Sequence, residues 1–253
     1  MRLRAVFFDI GDTLWHEAYP EMGGARGRLG RSGASAWAEQ YGFHTLDPDR
    51  VASAAWNALT AARRAARRSD LREPDAAVVA QQAIRSLGAE IGLEPAAALM
   101  DAIYVSGAAS GKALYEDAVP VIDEIRRRGF LVGMITNRAF GGARFRADLR
   151  TLGLDFAWDA EVVSAEAGFM KPHPAIFRRA LAEAKVAAAE SLMVGDSLAD
   201  DIAGAEAVGM QTAWRRTPAE ASDEVASAGV VPGFTFDVLT ELLEHPGLRP
   251  GGA

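Results

Sequence analysis

Val6-Phe7-Phe8-Asp9-Ile10-Gly11-Asp12-Thr13-Leu14, near the start of the chain, and Leu192-Met193-Val194-Gly195-Asp196-Ser197, far along it, share one design. In each, a short apolar run breaks abruptly into acid and glycine. Such a run reads as a buried parallel strand that delivers a carboxylate to the carboxyl edge of a sheet. Open α/β sheets bind their ligands at that edge. Asp9 and Asp196, if the fold brings them together, suit a hard divalent cation, with Mg²⁺ the best match, and one of the two acids can also act as a nucleophile.

Working outward, further strands are expected at Phe130–Ile135, Glu161–Ser164 and Gln211–Trp214, beside Ala5–Phe8 and Leu192–Val194. Helical stretches fall between or before them at Val119–Arg128, Ala143–Leu152, Pro174–Ala187 and Asp200–Ala207, and Gly129 sits where a C-cap glycine belongs. Strands alternating with helices describe an α/β fold with a doubly wound, Rossmann-like parallel sheet. From Trp15 to Ser110 the rhythm changes. Alanine and arginine dominate, strand formers are few, and helices are expected near Ala34–Tyr41, Pro48–Arg68, Pro74–Ile91 and Pro95–Ser106. This predicts a core of residues 1–14 and 111–253 interrupted by a helical insertion over 15–110. Met22–Gly33, glycine and arginine in near alternation, reads as a low-complexity segment.

Composition narrows the function. The chain has 253 residues, 49% of them hydrophobic and 24% charged, enough to bury a sizeable interior. No apolar stretch approaches the roughly 18 residues a membrane helix needs, and the first apolar run ends at Asp9, too early for a signal peptide. With no cysteine there is no thiolate or disulfide chemistry, which fits a cytoplasmic protein. A formal charge of −7 argues against non-specific nucleic-acid binding. Arg63, Arg64, Arg67 and Arg68 fall on one side of a helix and read as a solvated face. Oligomeric state is left open. The lysines are Lys112, Lys171 and Lys185 alone, so Lys171, in Met170-Lys171-Pro172-His173-Pro174 just before a helix, stands out. His173 reads as a turn residue or helix cap rather than a ligand.

If the strands are neighbours, Asp9, Thr136-Asn137, Lys171 and Asp196 meet at one edge. A carboxylate, a hydroxyl, an ammonium and a second carboxylate suit phosphoryl transfer. The order Asp9…Thr136…Lys171…Gly195-Asp196-Ser197 is similar to the four motifs of the haloacid dehalogenase superfamily of hydrolases. Helices between the first and second motifs resemble its members with a helical cap. The resemblance spans about Leu3 to Leu243. It implies that Asp9 is the nucleophile of an aspartyl-phosphate, and that Asp9, the Gly11 carbonyl and Asp196 bind Mg²⁺. It further implies that Thr136 and Asn137 bind the phosphoryl group and that Lys171 neutralises it. Asp201 aligns best with the family's last acid, with Asp200 the alternative. The implied substrate is a small phosphorylated metabolite.

One departure matters. Family phosphatases carry a second aspartate two residues after the nucleophile, which protonates the leaving oxygen and later activates water. Here that position is Gly11, with Asp12 one place on. Either Asp12 substitutes, or substrates with good leaving groups need little protonation, or a phosphate- and metal-binding pocket remains with little turnover. Asp12 can also simply cap the turn. Arg26, Arg28 and Arg31 are candidates to grip an anionic substrate, against a plain hinge. Lys112, beside Gly107 and Gly111, marks the return to the core as a second hinge. Carbon–halogen hydrolysis is disfavoured, because the acid at Asp196 would repel a carboxylate substrate. A phosphonate-cleaving variant needs a cap lysine, and Trp15–Ser110 contains none.

Overall fold

A computed structural model of the protein describes residues 2–19, 25–217 and 229–249, with the side chains of residues 25 and 26 left out. The strands are Ala5–Phe8 (β1), Trp15–Glu17 (β2), Lys112–Leu114 (β3), Leu131–Thr136 (β4), Ala160–Val163 (β5), Ser191–Gly195 (β6), Gln211–Arg215 (β7) and Phe234–Phe236 (β8). The helices are Ala25–Tyr41 (α1), Pro48–Arg67 (α2), Ala76–Arg85 (α3), Leu93–Ala102 (α4), Ala118–Arg127 (α5), Gly142–Leu152 (α6), Ser164–Ala167 (α7), Pro174–Ala184 (α8) and Ala203–Glu206 (α9).

Six strands form one sheet in the order β5-β4-β1-β6-β7-β8, while β2 and β3 pair separately. Every pairing in the larger sheet is parallel. The chain therefore winds one way from β1 through β4 to β5 and the other way through β6 to β8. Strand order reverses about β1, and ligands of such sheets bind in the crevice beside that reversal. All four residues of β1 and all five of β6 are buried, as continuous apolar runs in a sheet covered on both faces must be. Phe7, Ile135, Val162, Phe177 and Met193 belong to the core on one side of this sheet. Among the described residues, no helix is long and apolar enough to cross a membrane. β2, β3 and β8 lie outside the strands expected from sequence, because three-residue segments carry too little periodicity to read.

The chain divides into two compact units: Met1–Glu17, Ala113–Arg138 and Leu149–Ala253 form one, and Ala18–Lys112 with Ala139–Asp148 the other. The second is helical, with α1 to α4 packed around Trp37, Val51, Leu59, Ile84, Leu99 and Met100. Two of its helices begin with an aspartate cap: Asp47 accepts from Arg50 N at 2.9 Å and Asp75 from Ala77 N at 2.9 Å. Arg63 of the arginine stripe on α2 is held by Glu73 at 2.6 Å.

Two expectations are corrected here. First, most of the glycine- and arginine-rich segment is helix, since α1 begins at Ala25; residues 22–24 lie outside the described part. The glycine serves packing rather than looseness. A Cβ built on Gly33 would lie 1.8 Å from the carbonyl oxygen of Ala102, so only glycine lets α1 approach the end of α4 this closely. Second, residues 139–148, expected in the core, group with the helical unit, so that a boundary falls inside α6. Phe140 stacks on Trp56 at 6.1 Å and meets Tyr104 edge-on at 5.3 Å. The buried Asp148 carboxylate accepts from Tyr104 Oη at 2.9 Å and from Gly107 N at 2.6 Å. Asp148→Ala would strand both donors, so urea denaturation is expected to show a loss of about 1–3 kcal/mol.

Candidate active site

The carboxyl ends of β1, β4 and β6 deliver the site. Asp9 N–H donates to Val194 O at 2.9 Å, which extends the β1–β6 pairing one step past the strand and anchors Asp9 beside Gly195. Thr136 ends β4 and is buried. Asn137 follows it and locks the lysine segment in both directions: Lys171 N donates to Asn137 Oδ1 at 2.8 Å, and Asn137 Nδ2 donates to Lys171 O at 3.1 Å. His173 caps α8 by accepting from Ala175 N at 3.2 Å, so it is a cap and not a ligand.

Lys171 is 2% exposed although charged, and its three donors are all used. Nζ donates to Asp9 Oδ1 and to Asp201 Oδ1, each at 2.5 Å, and to Ile135 O at 2.9 Å. Burial pulls the lysine pKa down, but Asp201 and Asp9 outweigh it and hold the ammonium above its ordinary value. Burial pushes the Asp201 carboxyl up to about 7 despite Lys171, and the charge of Asp9 adds to the rise.

Asp9, Asp196 and Asp201 each place a carboxylate oxygen within 4.8 Å of the others, a set that could hold a metal ion. Three buried or half-buried carboxylates crowded this closely form a donor set that a divalent cation fits. Hard oxygen donors of this kind suit Mg²⁺. Asp201, not Asp200, joins the cluster. Asp200 instead accepts from Asn137 Nδ2 at 3.3 Å.

The loop after β6 is shaped for Asp201. Ser197 N donates to Asp201 Oδ2 at 3.1 Å, and a π-helical turn over Leu198–Ile202 carries Asp201 inward. A Cβ on Gly195 would lie 2.3 Å from the Asp201 carboxylate, so glycine is needed where the strand passes that side chain. Gly195→Ala is expected to cost about 1–3 kcal/mol by overpacking, read as a lowered melting temperature, and to weaken cation binding by displacing Asp201.

A pocket lined by Asp9, Gly11, Thr136, Asn137, Arg138, Lys171, Asp196, Ser197, Asp200 and Asp201 opens above this cluster. The structure thus brings together Asp9, Gly11, Thr136, Asn137, Lys171, Asp196 and Asp201. Asp12 is exposed, with φ 54°, and is not among the lining residues. Of the three arginines, Arg28 is exposed and Arg31 pairs with Asp49, both within the helical unit; the side chain of Arg26 lies outside the described residues. Arg138 escaped the sequence reading, although it directly follows Asn137. Its guanidinium sits 4.9 Å from the Trp15 ring centroid, and Ser164 Oγ bonds both its N–H and its carbonyl.

The family model of the haloacid dehalogenase-like hydrolases matches residues 3–209. The chain is 28% identical to a glyceraldehyde 3-phosphate phosphatase of Methanopyrus kandleri over 96% of both chains. It is 38% identical to a ribulose-1,5-bisphosphate 5-phosphatase of Halopiger xanaduensis, over 53% of this chain and 54% of that one. A 2-haloacid dehalogenase of Pseudomonas syringae shares the fold with a TM-score of 0.63 at 24% identity, covering 96% of this chain and 97% of that one. A phosphatase of Thermococcus onnurineus shares it with a TM-score of 0.60 at 20% identity, covering 98% and 100%. With a family match across most of its length, the chain belongs to the haloacid dehalogenase-like hydrolases.

Proposed function

We propose that the protein is a Mg²⁺-dependent phosphatase of small phosphorylated metabolites, working through an aspartyl-phosphate on Asp9. The observation that carries this reading is Lys171, buried between Asp9 and Asp201 beside a trio of carboxylates. An ammonium clamped on the nucleophile's own oxygen holds that carboxylate in one orientation. It also offsets charge when a phosphate dianion arrives next to it. Relatives across the full length and across half of it that are named phosphatases support the same reading.

Asp9, Asp196 and Asp201, with the Gly11 carbonyl, would hold the cation. When bound, it supplies positive charge to the phosphoryl oxygens. The chain's own residues do the rest. One oxygen of Asp9 attacks phosphorus while the bond from phosphorus to the leaving oxygen breaks. The Thr136 hydroxyl and the Asn137 amide orient the phosphoryl oxygens, and Lys171 balances the charge on Asp9 and phosphate. Water then attacks the acyl phosphate, releasing phosphate and restoring the Asp9 carboxylate. No side chain at Gly11 protonates the leaving group, so acyl and aryl phosphates should turn over faster than alkyl phosphates. The helical unit, most of it inserted in sequence between Asp9 and Thr136, is the part of the chain proposed to select the substrate. A dehalogenase reading is weaker, because three clustered carboxylates repel the carboxylate of a haloacid.

The test is hydrolysis of acetyl phosphate, p-nitrophenyl phosphate and a set of sugar phosphates, with and without Mg²⁺. Mg²⁺-dependent release of phosphate, fastest from acetyl phosphate, is expected. Absence of turnover on all of them, with Mg²⁺ still bound, would replace the phosphatase by a binding role.

A further inference from the structure

The site rests on a second tier of residues that none of its motifs includes. Arg215, the last residue of β7, is 5% exposed. Its guanidinium lies 3.4 Å from the centroid of the Tyr115 ring, and Tyr115 in turn stacks on His16 at 4.4 Å. Nη1 donates to the carbonyl of Thr13 at 2.5 Å, while Nε is buried with no hydrogen-bond partner among the described residues. Burial draws its pKa below the ordinary arginine value, and Tyr115, Asp117, Asp196 and Asp12 pull it back. A buried cation with an orphaned donor is costly, and an apolar side chain stacked on Tyr115 would avoid that cost. Beyond its charge, what the arginine offers that an apolar residue cannot is a bond to the Thr13 carbonyl.

Thr13 is fully buried, and its hydroxyl donates to Asp196 Oδ1 at 3.2 Å. The neighbour of Arg215 works on the same acid from the other face of β7. Trp214 is paired in register with Gly195, and its Nε1 donates to the Asp196 carbonyl at 2.7 Å. Consecutive residues of a strand point to opposite faces. The end of β7 therefore grips the main chain of Asp196 with one side chain and the loop that holds its carboxylate with the next.

We propose that Arg215 is a positioning residue for the cation site: through the Thr13 carbonyl it fixes the hydroxyl that orients the Asp196 carboxylate toward Asp9 and Asp201. The inference rests on the cation site of the proposed function but not on the reaction performed there. Residues that orient metal ligands in this way typically cost about 10–100-fold in metal affinity when removed.

The experiment is a Mg²⁺ titration of the full-length protein without substrate, followed by intrinsic tryptophan fluorescence and paired with melting temperatures. Arg215→Met and Thr13→Val are each expected to weaken Mg²⁺ binding by about 10–100-fold. The double variant should bind no more weakly than the worse single one, because both act through one chain of bonds. Arg215→Lys, which keeps the charge and one donor, should fall between parent and Arg215→Met. A lowered melting temperature with unchanged Mg²⁺ affinity would overturn the role and leave Arg215 a structural residue. If the methionine variant fails to fold, parent-like affinity in Thr13→Val overturns it equally. Losses that multiply in the double variant would also overturn it. A parent protein that binds no Mg²⁺ would remove the cation site and this role together, whereas parent binding matched by all variants removes the role alone.

Discussion

Asp9→Asn is expected to bring phosphate release down to background while the protein stays folded. The substitution is isosteric, and the backbone of Asp9 is held by its bond to Val194 O, which asparagine keeps. Lys171 loses one carboxylate but retains Asp201 and the carbonyl of Ile135. What disappears is the anionic oxygen proposed to attack phosphorus, and an amide cannot replace it. Loss of a covalent nucleophile costs on the order of 10⁶ in kcat in a hydrolase where it has been dissected. Mg²⁺ should still bind more weakly, because Asp196 and Asp201 remain. The paired measurement is mass spectrometry after an acid quench during turnover of acetyl phosphate. Phosphoryl transfer to the parent chain and none to the variant is the expected result. Sustained turnover by the variant would take the nucleophile's role from Asp9.

The parts of this site that a linear reading finds are those the sheet delivers directly. Asp9, Thr136 and Asp196 stand at the ends of apolar runs, and a parallel strand with both faces covered leaves little doubt where such a run ends. Lys171 was legible because lysine is rare in this chain and a proline-bounded turn follows it. The choice between Asp200 and Asp201 depended on helical phase, which the π-helical turn over Leu198–Ile202 alters by one residue. Arg215 carries no local signal, since its partners Thr13 and Tyr115 are distant in sequence and meet it only through the order of the sheet. Gly33 misled for a similar reason. A glycine admitted by the near approach of Ala102 looks, in sequence, like a glycine in a flexible loop. Residues 139–148 read as part of the core because α6 follows β4 directly, whereas Phe140 and Asp148 bind Trp56, Tyr104 and Gly107 of the helical unit.

Gly11→Asp is expected to raise kcat/KM on alkyl phosphates by about 10²–10⁴-fold, the usual worth of a positioned general acid. The structure has room for it. A Cβ on Gly11 would meet only Trp15 Nε1 at 3.8 Å and Asp9 Oδ2 at 3.9 Å, both ordinary contacts, and Gly11 does not adopt the left-handed backbone that would strain a side chain. Gly11 also lines the pocket, so a carboxyl there would face the leaving group, which the exposed Asp12 does not. The opposing effect is charge. Another carboxylate beside Asp9 and Asp196 is repelled by them, and this same repulsion raises its pKa toward the range a general acid needs. Acetyl phosphate separates the two effects, because acetate departs without a proton. The ratio of alkyl to acyl phosphate turnover should therefore rise in Gly11→Asp and stay unchanged in Asp12→Asn. A fall on both substrates in Gly11→Asp would mean that the pocket needs the glycine's shape. A fall in alkyl turnover in Asp12→Asn would show that the loop moves during catalysis and carries Asp12 into the pocket.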